Sequence, residues 1–150
     1  EREITRARRT GQPLVVALHG HGGDADWPFN EVHIERHVVP TGLAVATVDG
    51  GDFYWHARRS GIDTSRMVIE ELLPLLSGKG LATDRIGLIG WSMGGYGALL
   101  MATRLGPTRV AGVVAASAGD GIANAIIIAE KEKVVFNSLV CSMGISCLVV

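Results

Sequence analysis

Histidine disappears from this chain after His56: all five histidines lie at or before that position in a sequence of 150 residues. No histidine stands in the chain's second half to serve as a base or ligand. Cysteine is scarcer still, with Cys141 and Cys147 spaced neither as a C-x-x-C redox pair nor as a zinc pattern, so both are expected to be buried free thiols. Charge of one sign is missing as well. Fourteen Lys and Arg stand against fifteen Asp and Glu, and the formal net charge of −1 gives no basic field for nucleic acid. The local cluster Arg2, Arg6, Arg8 and Arg9 reads as a solvated segment. Long apolar runs are lacking too: residues 134–150 are broken by Asn137, Ser138, Ser142, Gly144 and Ser146 and barely reach the ~17-residue minimum for a spanning helix, which argues against stable membrane insertion. No charged start followed by an apolar leader core is visible. A cytoplasmic location is expected on that ground, and a secreted one only if Glu1 is a processed terminus.

What is present is hydrophobic material, 47% of residues, and 20 glycines. A chain of this length fits one globular domain able to bury roughly two thirds of its unfolded surface. Apolar runs of strand type at Leu14–Leu18, Leu43–Val48, Ile86–Ile89 and Val110–Ala116 alternate with helical stretches. That alternation predicts an α/β fold, a three-layer α/β/α sandwich with a mostly parallel sheet. A short helix is expected between Phe29 and Val39, ahead of Pro40. Asp63 reads as the N-cap of a helix carrying Met67, Val68, Leu72, Leu73, Leu75 and Leu76, which Gly78 and Gly80 stop and Pro74 kinks.

One stretch carries chemistry. In Ile86-Gly87-Leu88-Ile89-Gly90-Trp91-Ser92-Met93-Gly94-Gly95 a serine sits between glycines where an apolar strand gives way to a helix that ends at Gly106-Pro107. A tight strand-to-helix turn strains its central residue and tolerates only small neighbours, which is the pattern of a nucleophile elbow. Ser92 is the expected nucleophile. The helix opening at Met93 would aim unpaired N–H groups and its positive end at the same place, stabilising an oxyanion. The bland alternative, a glycine turn without chemistry, fits the five-residue pattern but not its flanking strand and helix.

Directly after the first strand comes His19-Gly20-His21-Gly22-Gly23. Such a turn presents backbone N–H groups at the carboxyl edge of a parallel sheet, so the N–H of His21 with that of Met93 would make a two-donor oxyanion hole. Metal binding by His19 and His21 lacks companion ligands, and His33 with His37 lacks the glutamate placement of H-E-x-x-H; those two histidines are expected to face solvent. His56 either lines a pocket mouth or packs a long loop. The glycines do not form G-x-G-x-x-G, and serine acyl transfer needs neither metal nor nucleotide, so no cofactor is expected.

Taken together, the strand, the H-G-x-G-G turn, the Asp49-Gly50-Gly51-Asp52-Phe53-Tyr54-Trp55 loop and G-W-S-M-G-G resemble the putative-esterase branch of the α/β-hydrolases, which includes esterase D-like enzymes and antigen 85-type mycolyltransferases. The resemblance covers about 13–118. It implies a partial α/β-hydrolase fold and a serine carboxylesterase or acyltransferase acting on a small-molecule ester. Ser92 would be its nucleophile, the His21 and Met93 backbones its oxyanion donors, and Phe53, Tyr54 and Trp55 the border of its acyl pocket.

The resemblance also implies an acid and a histidine after the serine, yet no histidine follows Ser92, and the acids beyond it are Asp120, Glu130 and Glu132. Three origins fit. An upstream histidine such as His56 substitutes by geometry; the chain is an inactive relative that keeps a binding site; or it is an incomplete hydrolase whose reading frame diverges near Ser117. All eleven arginines and all five prolines lie at or before Arg109, which favours the third. Residues 1–12 are accordingly expected to be an N-terminal segment, 13–118 the family-like core and 119–150 an atypical tail, whose composition fits a helix over Ile122–Lys133 and a hairpin of Val134–Cys141 with Ile145–Val150. An incomplete sheet would leave an edge that invites pairing, but the oligomeric state is not legible.

Overall fold

The computed structural model describes residues 11–116, 125–129 and 147–149. Strand β1 (Gln12–Leu18) leads through two short helices, α1 (Trp27–Asn30) and α2 (Ile34–Val38), and a 3₁₀ turn at Val39–Thr41 to strand β2 (Ala44–Thr47). Helices α3 (Thr64–Met67) and α4 (Leu73–Gly78) follow, then β3 (Leu81–Trp91), α5 (Met93–Leu105) and β4 (Val110–Ala116). The strand order is β2-β1-β3-β4, all parallel. Chain direction across the sheet therefore reverses at β1: β2 pairs on one side of it and β3 on the other. The crevice at the carboxyl ends of β1 and β3 is the place where parallel α/β sheets put their ligand sites.

Side chains alternate between the two faces of these strands, as the strand period requires. Leu14, Val16, Leu18, Ala44, Ala46, Leu88 and Val113 pack on one face with Trp55, Val68, Leu73, Leu76, Met93, Ala98 and Met101. Val15, Ala17, Val45, Ile89 and Val114 pack on the other with Ile34 and Val38. These are the three layers that the apolar alternation predicted. Strand β3 runs further upstream than Ile86–Ile89 because Leu81 and Ala82 pair with Gln12 and Pro13. The register then shifts between Pro13 and Val15, where proline has no N–H to give the ladder.

The helical stretch after Asp63 is continuous, and its irregularity has a cause. Over Val68–Leu72 the turns widen, and the Leu73 N–H donates to the Val68 carbonyl five residues back. Pro74 follows at once; its ring would crowd a regular helical turn, and the wider turn removes that crowding. Asp63 caps the start, accepting from the Arg66 N–H at 3.1 Å and the Ser65 hydroxyl at 2.7 Å. Arg104 of α5 reaches the same carboxylate at 3.2 Å and also touches Ser65. Burial alone would raise this carboxyl, but Ser65, the Arg66 N–H and the Arg104 guanidinium together hold it below its ordinary value.

Beyond β4 the tail departs from one expectation. Ala125–Ala129 is a strand, β5, antiparallel to β4, and not part of a helix over Ile122–Lys133. Three consecutive isoleucines are β-branched and favour a pleated strand, and β4 offers them an open edge. Cys147–Val149 forms β6, parallel to β5. The Val134–Cys141 arm of the expected hairpin, the thiol environments, and Asp120, Glu130 and Glu132 lie outside the described residues and side chains.

Candidate active site at the strand-to-helix turn

Ser92 joins β3 to α5 with φ 52° and ψ −115°, a conformation that costs an L-residue of order 1–3 kcal/mol and persists only where the surroundings over-determine it. Those surroundings are named by the glycines. A Cβ on Gly90 would lie 2.0 Å from the Gly94 carbonyl oxygen, and one on Gly94 would lie 2.0 Å from that of Leu18. No side chain fits at either position, so helix and strand approach backbone to backbone. The Ser92 N–H donates to the Ala116 carbonyl at 2.7 Å, tying the turn to the end of β4, and the Tyr96 N–H donates to the Ser92 carbonyl at 3.1 Å, opening the helix. Ser92 itself is exposed.

Two segments meet at this point. Met93 is the first residue of α5, so its N–H belongs to the group with no intrahelical acceptor, at the positive end of a 13-residue helix. The His19–Gly23 turn arrives from β1: a Cβ on Gly20 would lie 3.6 Å from the Ser92 Cβ. That turn is closed by the Gly23 N–H donating to the Gly20 carbonyl at 3.1 Å, with Gly22 at φ 75°. His21, at its tip, exposes most of its side chain.

Three hydrogen bonds clamp this turn to the loop after β2. The Gly22 N–H donates to Asp52 Oδ1 at 2.7 Å, the Gly50 N–H to His19 Nε2 at 3.0 Å, and the Trp55 indole N–H to the His19 carbonyl at 3.3 Å. Since Nε2 of the fully buried His19 accepts, its proton resides on Nδ1, which donates to the Gly20 carbonyl at 2.8 Å. Both ring nitrogens are occupied in the neutral form, so the Asp49 carboxylate 3.6 Å from Nε2 is a neighbour and not an ion-pair partner. His19 thus ties two loops together and has no lone pair left for a metal.

The aromatic residues of this loop divide. Trp55 is fully buried between Gly50 and Gly97, where a Cβ would come within 2.4 and 2.5 Å of its ring, and it meets His19 edge-on. Phe53 and Tyr54 are exposed by 37% and 44%, and the Tyr54 ring lies near that of His21, unlike the sealed Trp55. Tyr96, one helical turn beyond Ser92, is 49% exposed and was not singled out by its sequence context. His56 lies against Tyr96 with ring centroids 6.1 Å apart, while its Nδ1 pairs with the Ala57 carbonyl at 2.8 Å. His33 and His37 are half-buried instead of facing solvent, and His33 Nδ1 pairs with the Phe29 carbonyl at 3.0 Å.

Among the described residues, no histidine is hydrogen-bonded to the Ser92 hydroxyl, and no group of three or more potential metal ligands gathers. No described helix is long and apolar enough to cross a membrane.

Comparison with known proteins agrees with this layout. A family model described as "Putative esterase" matches residues 6–125. An S-formylglutathione hydrolase from Agrobacterium tumefaciens superposes with TM-score 0.64 at 23% identity, covering 71% of this chain and 47% of its own. The fluorophosphonate-binding serine hydrolase F of Staphylococcus aureus, solved with substrate bound, gives 0.60 at 24%, covering 77% and 46%. MPT51 of Mycobacterium tuberculosis gives 0.55 at 23%, covering 73% and 42%. This chain therefore spans less than half the length of these structures, and they establish the shared fold. No curated protein matches the sequence.

Proposed function

The chain belongs to this putative esterase family, and on that premise we propose that it serves the hydrolysis of a small-molecule carboxylic ester through an acyl-enzyme on Ser92. The observation that carries the proposal is the strained, exposed Ser92 held at the carboxyl edge of the sheet between the His19–Gly23 turn and the N-terminus of α5. Ser92 Oγ attacks the ester carbonyl carbon and gives up its proton, the carbonyl oxygen takes the negative charge, and the alcohol leaves carrying a proton. Water then attacks the acyl group and restores the hydroxyl. The His21 and Met93 N–H groups hold the oxyanion; losing one such donor typically costs about 3–4 kcal/mol of transition-state stabilisation. Phe53 and Tyr54 border the site, and Trp55 supports the loop that presents them.

Among the described residues no histidine is hydrogen-bonded to Ser92 as its base. Without one, the oxyanion donors and binding alone typically leave ~10³–10⁴-fold acceleration over water. Passage of the acyl group to an alcohol instead of water is the transferase variant of the same step. A fluorophosphonate probe tests the proposal: folded protein is expected to be labelled covalently, and Ser92→Ala is expected to abolish labelling. Folded protein that takes no label would instead support a non-catalytic binding module on the same scaffold.

A further inference from the structure

His19 is a titratable side chain that acyl transfer on Ser92 does not use, yet it is sealed at the base of the turn that approaches Ser92. Its two ring nitrogens serve different segments. Nδ1 donates to the Gly20 carbonyl at 2.8 Å, within its own turn, and Nε2 accepts from the Gly50 N–H at 3.0 Å, on the loop after β2. A backbone N–H can only donate, so the loop stays attached while Nε2 keeps its lone pair. Adding a proton turns Nε2 into a donor and sets two N–H groups against each other. The bond to Gly20 uses the Nδ1 proton in either charge state and survives. Protonation therefore breaks one particular link, the one between the two loops.

The groups around the ring decide where a protonated His19 turns. From the loop after β2, the Asp49 carboxylate stands 3.6 Å from Nε2 and already accepts from the Gly51 N–H at 2.8 Å. The same loop contributes Trp55, edge-on with ring centroids 5.1 Å apart and neutral. The turn itself contributes Gly20 and Gly23, and α5 brings up Gly94, none of which carries a side chain. On the same two segments, His21 and Asp52 face each other at 3.8 Å with both side chains about half exposed or more. A new Nε2–H is drawn to the Asp49 carboxylate, which gives the loop a second arrangement with Asp49 on His19 in place of Gly50. Gly50 cannot move alone. A Cβ there would lie 2.4 Å from the Trp55 ring, so its backbone is pressed against the indole, and two residues on Asp52 accepts from the Gly22 N–H at 2.7 Å. The displacement passes through Asp52 to the turn that carries the His21 N–H.

We propose that His19 is a positioning residue for the oxyanion hole that works only while its ring is neutral, so that protonation of His19 detaches the Gly50 loop and disarms the Ser92 site in acid. Its effect on chemistry rests on Ser92 being the reacting centre, whereas the detachment does not. An amide side chain accepting from Gly50 would tie the two loops equally at every pH. Imidazole is the side chain whose charge changes between about pH 5 and 8, so a link built on its lone pair is conditional.

NMR of the full chain reads the link directly. The His19 ring nitrogens are followed from about pH 8 to about pH 5 beside the Gly50 and His21 amide signals. Both amide signals are expected to move in step with the His19 ring. A ring that titrates while both amides stay in place, or one that remains neutral until the chain unfolds, overturns the proposal. Fluorophosphonate labelling reads the consequence. The wild-type rate is divided by that of His19→Gln, whose amide oxygen accepts from Gly50 at every pH, and the division cancels the pH dependence of the Ser92 hydroxyl and of the other histidines. This ratio should fall about tenfold or more between the two pH values, approaching the loss of one oxyanion donor. A ratio constant with pH overturns the proposal. If His19→Gln does not fold, the NMR titration decides alone. Absence of labelling at every pH refutes the Ser92 reading and leaves the same titration to judge the link.

Discussion

The Asp52 carboxylate accepts a hydrogen bond from the Gly22 N–H at 2.7 Å, joining the loop after β2 to the glycine turn after β1. Gly22 stands at φ 75°, and the residue before it is His21, whose N–H, one peptide further back, is proposed to hold the oxyanion. Fixing Gly22 therefore restrains the neighbouring peptide that carries that donor. The second carboxylate oxygen lies 3.8 Å from His21 Nε2, but both side chains are about half exposed or more, so the ion pair contributes little.

Asp52→Ala should consequently slow fluorophosphonate labelling by about tenfold or more, approaching the loss of one oxyanion donor. Asp52→Asn keeps an oxygen that accepts from Gly22 and should retain most of the wild-type rate. Comparison of the two labelling rates decides between hydrogen bonding and charge. Equal slowing by both variants would show that the negative charge, and not the acceptor, is what matters.

A packing prediction concerns Gly94, where a Cβ would lie 2.0 Å from the Leu18 carbonyl oxygen and 2.6 Å from that of His19. Strand β1 is central in the sheet and cannot retreat without breaking its ladders to β2 and β3. Gly94→Ala is expected to destabilise the fold by about 3 kcal/mol or more, at or beyond the upper end of overpacking effects. Gly78→Ala makes the control, since a Cβ there meets nothing within 4 Å and the residue lies at the end of α4. It should be neutral or stabilising by up to about 1 kcal/mol through helix propensity. Urea unfolding of the two variants beside wild type measures both values.

The Asp63–Arg104 pair gives the chain a pH signature. Asp63 is held below its ordinary carboxylate value, near 3.9 for a free aspartate. Its stabilising contribution is therefore complete above that ordinary value and is lost as pH falls through the lower, folded one. Arg104→Leu removes one of three causes and leaves the Ser65 and Arg66 hydrogen bonds in place. The Arg104 side chain is 36% exposed, so water screens the pair and the variant should lose less than about 1 kcal/mol at pH 7. That deficit should shrink toward zero as pH drops below about 3.9, read from urea midpoints across the acid range. A deficit constant with pH would trace it to packing.

Much of this architecture was legible in the residues. The alternation of apolar strands with capped helices fixed the layered parallel sheet, because periods of 2 and 3.6 are written directly into the order of side chains. The serine between Gly90 and Gly94 announced a tight turn, since only glycine tolerates such approaches. The widened turn ahead of Pro74 was legible only as an expected kink, because the ring's demand is local but its relief depends on neighbouring carbonyls. The strand at Ala125–Ala129 stands where the residues suggested a helix, because a short apolar run suits helix and strand alike until a free sheet edge selects one.

What only the tertiary structure decided is who faces whom around Ser92. Phe53, Tyr54 and Trp55 are adjacent and chemically alike, yet one is sealed under α5 and two stand at the surface. Residue type could not separate them, because the choice is made by the absent side chains of Gly50 and of Gly97, the latter 42 residues away in sequence, that leave room for the indole. His19 and His21 are likewise two positions apart, and one became an internal tie while the other stayed exposed. The sequence placed a serine at a strained turn by local backbone chemistry. Its surroundings came from contacts across 30 to 40 residues of chain, which no local pattern encodes.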